Sequence, residues 1–218
     1  MGTITRSFAN NITTSGVLLP ASLTNASIAN VTAYNASVTT GGMVLVSSAT
    51  ASASATIEFT LGDYKEYQFY FVNMHPDADR SFKFNFSTDS GSTYSVSKTT
   101  TFFKARHFES DAGYEFGYEG GYDLANSTAD QTLTEGTQEG TDNDASLSGY
   151  MSLFNPSSET YVKHFVANIQ QLGSPSGNTT FNNYVAGYAN TTSALTNIKF
   201  VMTSGTIDDG TILMYGIV

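Results

Sequence analysis

The stretch Ser81-Phe82-Lys83-Phe84-Asn85-Phe86-Ser87 places a Phe at every second position, with polar residues between. Successive side chains of a strand point to opposite faces, so this spacing commits the rings to one side of a sheet and Lys83 and Asn85 to the other. In a helix of about 3.6 residues per turn the middle ring would point away from its neighbours. The same period predicts strands at Ile57-Glu58-Phe59, Tyr67 to Met74, Thr100 to Arg106, Ser146 to Phe154, Tyr161 to Gln170, Thr180 to Tyr188, Ile198 to Thr203 and Thr211 to Ile217. Tyr67 to Met74 is aromatic enough to read as buried on both faces, and Met43-Val44-Leu45-Val46 reads as a buried strand. Turn formers separate these runs: His75-Pro76-Asp77-Ala78-Asp79, Asp89-Ser90-Gly91-Ser92, Asn155-Pro156, Ser174-Pro175-Ser176-Gly177 and Asp208-Asp209-Gly210, the last read as a tight hairpin. Eight to ten short strands of this kind predict an all-β fold, an antiparallel β-sandwich of jelly-roll type, with an up-and-down barrel as the other closure. Leu124 to Leu133 is the one stretch that reads as a short helix.

The N-terminal quarter differs. From Met1 to Ile57 the only charged residue is Arg6, and large apolar residues come singly, at Ile4, Phe8, Ile12, Val17, Leu23, Ile28, Val31 and Val38. A disordered tail keeps itself solvated by charge, and a domain needs apolar residues in bulk. Residues 1–55 therefore read as an extended assembly arm whose apolar anchors lie on another chain, with Ser47 to Ala55 as a linker and the sandwich over 56–218. Asn-Ala-Ser recurs at 25–27 and 35–37, too few copies for a solenoid. A long Gly-rich, acidic and aromatic insert occupies roughly 107–145.

Composition narrows function. Lys and Arg number 9 against 19 Asp and Glu, a formal net charge of −10, so nucleic-acid binding and anionic membrane surfaces are not expected. Charged residues make up 13%, about half the usual share, whereas Tyr (13) and Phe (15) abound, as on proteins that pack into particles. There is no Cys, which excludes disulfides and thiolate chemistry and fits a reducing compartment. The start MGTITRSFANN carries no apolar signal core, and no run approaches a membrane span.

No constellation predicts catalysis, cofactor or metal. His75, His107 and His164 are far apart in sequence. Asp77-x-Asp79 and Asp142-x-Asp144 open like calcium loops but lack Gly at the sixth position and an acid at the twelfth. The segment from His107 to Asp123 interleaves Glu109, Asp111, Glu115, Glu119 and Asp123 with aromatics, and paired carboxylates among rings would suit a glycosidase. The favoured use of Tyr114, Phe116, Tyr118 and Tyr122 is contact with a neighbouring subunit, then contact with a surface or glycan, with catalysis a distant third. The Asn-x-Ser/Thr sequons follow from a composition rich in Asn, Ser and Thr.

The closing run from Phe200 to Ile217, with Tyr67 to Pro76, Thr99-Thr100-Thr101-Phe102-Phe103, Leu153-Phe154-Asn155-Pro156-Ser157-Ser158 and Thr3-Ile4-Thr5-Arg6-Ser7-Phe8-Ala9, resembles virion structural, tail-fibre-like proteins of marine tailed phages. The resemblance spans nearly the whole chain and brings no enzymatic residues. It implies a non-enzymatic virion protein assembled in the host cytoplasm, a homotrimeric tail fibre or appendage subunit that meets the host surface and other tail or capsid proteins. The alternative it leaves is a capsid decoration protein whose arm lies on the shell. A polysaccharide-degrading virion enzyme is the remote third reading.

Overall fold

The computed structural model of the protein describes residues 42–135, 146–173 and 179–217. The expected arm, with its anchors from Ile4 to Val38, and the pair Asp142 and Asp144 lie outside these residues. The described chain forms strands β1 (Met43–Thr50), β2 (Ile57–Thr60), β3 (Glu66–Pro76), β4 (Phe82–Ser87), β5 (Lys98–Phe108), β6 (Tyr114–Tyr118), β7 (Gln131–Thr132), β8 (Leu147–Phe154), β9 (Lys163–Gly173), β10 (Thr179–Ala189), β11 (Asn197–Met202) and β12 (Ile207–Ile217).

These strands make two antiparallel sheets packed as a sandwich. The larger has eight strands in the order β1-β12-β3-β8-β9-β10-β5-β6, the smaller four in the order β2-β11-β4-β7. Pairing is nested: β1 lies beside β12, β2 beside β11, β3 beside β8 and β4 beside β7. A ribbon of paired strands has thus rolled up, alternating between sheets, which is the jelly-roll topology. The hairpins β5–β6 and β9–β10 are additions that widen one sheet only.

Alternation explains where the core sits. In β9 every odd-numbered residue from Lys163 to Gly173 is buried and faces the small sheet. Phe69 and Phe71 of β3 meet Phe82 of β4 and Phe200 of β11, with Phe200 centroids 5.4 Å from Phe69, 5.2 Å from Phe71 and 5.7 Å from Phe82. A second cluster joins Phe84 to Phe165 of β9 at 5.1 Å. Most of these rings meet edge to face, the geometry their quadrupoles favour.

Beyond the small sheet the inner face turns polar. Lys98, Thr100 and Lys104 of β5, Gln171 of β9 and Asn183 of β10 are buried there. The segment from Glu119 to Glu135 covers them. Thr100 Oγ1 donates to Gln131 Oε1 at 2.6 Å, and Gln171 Nε2 donates to the Glu135 carbonyl at 3.0 Å. Asn183 Nδ2 donates to Gln171 Oε1 at 3.0 Å, so these buried side chains bond to one another, with Asn183 Oδ1 left without a partner.

Several expectations change. Leu124 to Leu133 is not a helix: it runs extended beneath β5 and contains β7, because its polar groups bond to strand residues. Asp208-Asp209-Gly210 is not a hairpin turn but a bulged start of β12, with register shifts on both sides of Asp209. Gly210 is required there at φ +114°, since a Cβ would stand 2.6 Å from Met74 Cα and 2.7 Å from the Asn73 carbonyl. The reversal from β11 comes earlier, through Gly205 at φ +71°. β3 is buried on one face only, with Gln68 and Tyr70 half-buried outward. β1 is exposed rather than buried, and it belongs to the large sheet, so the sandwich begins before residue 56 and Ser47 to Thr50 are strand rather than linker.

Because Phe200 bridges both sheets, Phe200→Ala is expected to lower unfolding free energy by about 3–5 kcal/mol in chemical denaturation. A loss below about 1 kcal/mol would mean this cluster does not hold the sheets together.

Candidate interaction surface

The two outer faces of the sandwich differ in charge. On the small sheet Lys199 of β11 stands opposite Glu58 of β2, and Lys83 of β4, the next strand on the other side, stands opposite Val201, so that face carries formal charges. On the large sheet the residues pointing outward from β5, β8, β9 and β10 include no Asp, Glu, Lys or Arg. They are Thr, Ser, Ala, Asn and Gln around larger side chains, Phe103, Tyr150, Phe154, Val166, Leu172, Tyr184 and Tyr188, together with the imidazoles of His107 and His164.

Register lines these up. Tyr118 of β6 stands opposite Phe103, Phe103 opposite Tyr184, Tyr184 opposite Asn168, Asn168 opposite Tyr150, Tyr150 opposite Tyr70 and Tyr70 opposite Leu213. One row thus crosses the sheet from its β6 edge to β12, almost wholly aromatic. Phe103 stacks on Tyr184 with centroids 4.9 Å apart, and Tyr70 meets Tyr215 at 5.7 Å. Beside this row the small side chain of Ala186, with Val166, floors two neighbouring shallow depressions, one walled by Phe154, His164 and Tyr188, the other by Phe103, Tyr150 and Tyr184.

Both edges of the large sheet are apolar as well. β6 presents Tyr114, Phe116 and Tyr118 on one face, 86, 73 and 58% exposed. At the other edge Met43, Val44, Leu45 and Val46 of β1 are all exposed, on both faces of the strand. Open apolar edges invite pairing with another chain.

The structure brings Tyr114, Phe116 and Tyr118 together, as their alternation suggests, but not Tyr122, whose ring turns inward onto Phe102 at 5.2 Å. The acidic residues of this insert go to separate partners. Glu115 pairs with Arg106 at 2.5 Å, Glu119 with Lys104 at 3.0 Å, and Asp123 accepts from the Tyr118 hydroxyl at 2.5 Å. Lys104 also meets Glu135 at 2.5 Å. Burial alone would depress the Lys104 ammonium, but the two carboxylates outweigh it and hold its pKa above the ordinary value. His107 sits by Asp111 at 3.2 Å, His75 ends β3 near Asp208, and His164 lies on the outer face beside Tyr188. Asp77 packs against Gly205 in the turn before β12, and the loop from Asp77 to Asp79 joins β3 to β4. Sequence reasoning missed this outer face, free of Asp, Glu, Lys and Arg, because its residues are spread over β5 and the later run β8 to β10; outward-position charge, read strand by strand, carries the signal.

Comparison with protein-family models, with curated proteins and with solved structures found no match to this chain.

Inner polar groups and outer rings should respond oppositely to substitution. Lys104→Met leaves Glu119 and Glu135 facing each other without their cation and is expected to destabilise by about 3 kcal/mol. Phe116→Ser, on the exposed edge, should shift stability by no more than about 0.5 kcal/mol. Urea titrations of both variants check this; equal losses would contradict it.

Proposed function

We propose that this chain is a non-enzymatic structural subunit of a phage particle, which assembles with copies of itself through the outer face of its large sheet and forms a homotrimeric tail fibre or appendage. The observation that carries the assembly is the charge-free aromatic face. The whole chain bears a formal net charge of −10, so most surfaces of one copy repel those of another. A face without formal charge is where like surfaces can meet without that repulsion, and where little charge must be desolvated. Aromatic enrichment with depletion of charged residues is the composition of an interface core. The open β1 and β6 edges extend the same surface. The particle itself is supported by the tail-fibre resemblance of the sequence, and cyclic closure of identical copies suits a three-fold fibre. The charged face of the small sheet then remains toward solvent.

Sedimentation velocity of the purified chain across a concentration series tests the assembly. A trimer is expected, and Tyr150→Lys combined with Val166→Lys should weaken it at least about tenfold, or ~1.4 kcal/mol, while leaving the monomer folded. A chain that stays monomeric throughout, or a trimer indifferent to both substitutions, overturns it. The place on the particle is tested by copy number in purified virions: a small fraction of the capsid-protein count supports a tail part, and parity with it replaces that reading by shell decoration.

A further inference from the structure

An independent feature lies where the widened part of the large sheet meets the small one. Lys98, the first residue of β5, is 0% exposed, and Asn85, in β4 of the other sheet, is 1% exposed. Lys98 Nζ donates to Asn85 Oδ1 at 2.5 Å and to the Val96 carbonyl at 2.8 Å. Asn85 Nδ2 donates to Asp130 Oδ1 at 2.8 Å and to the Tyr94 and Thr128 carbonyls at 2.9 and 3.0 Å. The Phe86 N–H donates to Asn85 Oδ1 at 2.9 Å. Three acceptors at one end of the amide and two donors at the other fix its orientation. Alternation puts Asn85 on the outward side of β4, and the backbone around Tyr94 and from Thr128 to Asp130 closes over it.

A fully buried lysine normally has a carboxylate beside it. Here the closest partner is a carboxamide, and among the described residues no acid lies within ion-pair distance of Lys98 Nζ. Burial pushes the ammonium down to about 8, helped by Lys199 and opposed by Asp130. The neutral amine is thus easier to reach near neutral pH than in an exposed lysine. Nucleophile, electrophile and an oxyanion donor are therefore assembled in a buried site, with the part-exposed carboxylate of Asp130, which also meets Lys199 at 3.4 Å, at its margin.

The geometry points to an intramolecular isopeptide bond between Lys98 and Asn85, formed by the protein on itself with Asp130 as the proton relay. The ammonium first gives one proton to solvent. The free amine pair of Nζ attacks Asn85 Cγ, and the carbonyl electrons move onto Oδ1, where the Phe86 N–H receives the charge. Once bonded to Cγ, Nζ stands beside Nδ2, and Asp130, already hydrogen-bonded to Nδ2, then carries the second Nζ proton across to it. The tetrahedral centre then collapses: the Nζ–Cγ amide remains, the Cγ–Nδ2 bond breaks, and ammonia leaves. No oxidant, reductant or metal enters the balance. The bond would tie β4 to β5, hence small sheet to large, in a chain that has no Cys with which to make a disulfide.

The test is peptide mass spectrometry on the full-length folded chain, denatured after purification and cut with trypsin. In an unlinked chain trypsin cuts after Lys98 and releases Phe84 to Lys98 at full mass. The linked chain instead yields Phe84 to Lys104, uncut at Lys98 and lighter by one ammonia, about 17 Da. Asp130→Ala should form this product at least about tenfold more slowly, since a positioned proton carrier contributes at least that much. Release of Phe84 to Lys98 at full mass from the parent chain overturns the bond. So does an ammonia loss that leaves Lys98 cleavable, which would be a cyclic imide at Asn85 alone. Linkage in Asp130→Ala as fast as in the parent overturns the role of Asp130.

Discussion

An eight-stranded sheet facing a four-stranded one has more surface than its partner can cover, and most features of this molecule follow from that mismatch. Over β12, β3, β8 and β9 the small sheet supplies rings, and the core is a cluster of Phe side chains joining both layers. Over β10, β5 and β6 there is no partner strand of comparable length, so the segment from Glu119 to Glu135 lies across instead. A segment with little strand pairing of its own has backbone groups to satisfy, which is why the strands above it offer Thr100, Lys104, Gln171 and Asn183. Polarity is thereby exchanged in this half of the sheet: charge and amide groups are buried inside, and aromatic rings face out.

That exchange makes the outer face the natural candidate for assembly. A lone aromatic on a surface is ordinary, but a row in register across strands, flanked by Thr and Asn rather than Lys or Glu, is costly to leave in water. Self-association suits an acidic chain only where its own acids are absent, and the strands β5, β8, β9 and β10 contain no Asp or Glu. The proposed bond between Lys98 and Asn85 acts at another level. It would fasten the widened half of the large sheet to the small sheet independently of assembly and of redox conditions.

Much of the sandwich was legible in the sequence because period-two alternation is a local signal. β4 could be read almost residue by residue, β9 was placed to within two or three residues at each end, and the turn at Asn155-Pro156 fell where expected. The misreadings have non-local causes. Met43 to Val46 is apolar enough for a core, yet it became an exposed edge because nested pairing placed the described chain's first strand outermost. Asp208-Asp209-Gly210 has turn chemistry, yet β3 captures it in a bulge against Asn73 and Met74. The alternating rings of β6 were legible as sharing one face, and they are exposed, whereas Tyr122 was drawn inward by Phe102, a neighbour twenty residues away. Lys98, Asn85 and Asp130 carry no motif, since their separations of 13 and 45 positions reflect only how the sheets close.

The most direct test of self-assembly through the large sheet is hydroxyl-radical footprinting of the full-length chain at dilutions above and below its association range. Tyr150, Phe154 and Tyr184 should be protected in the associated state, while Tyr161, 69% exposed in the connection between β8 and β9, keeps its reactivity. Equal oxidation of Tyr150, Phe154 and Tyr184 in both states would place the contact elsewhere and contradict the account.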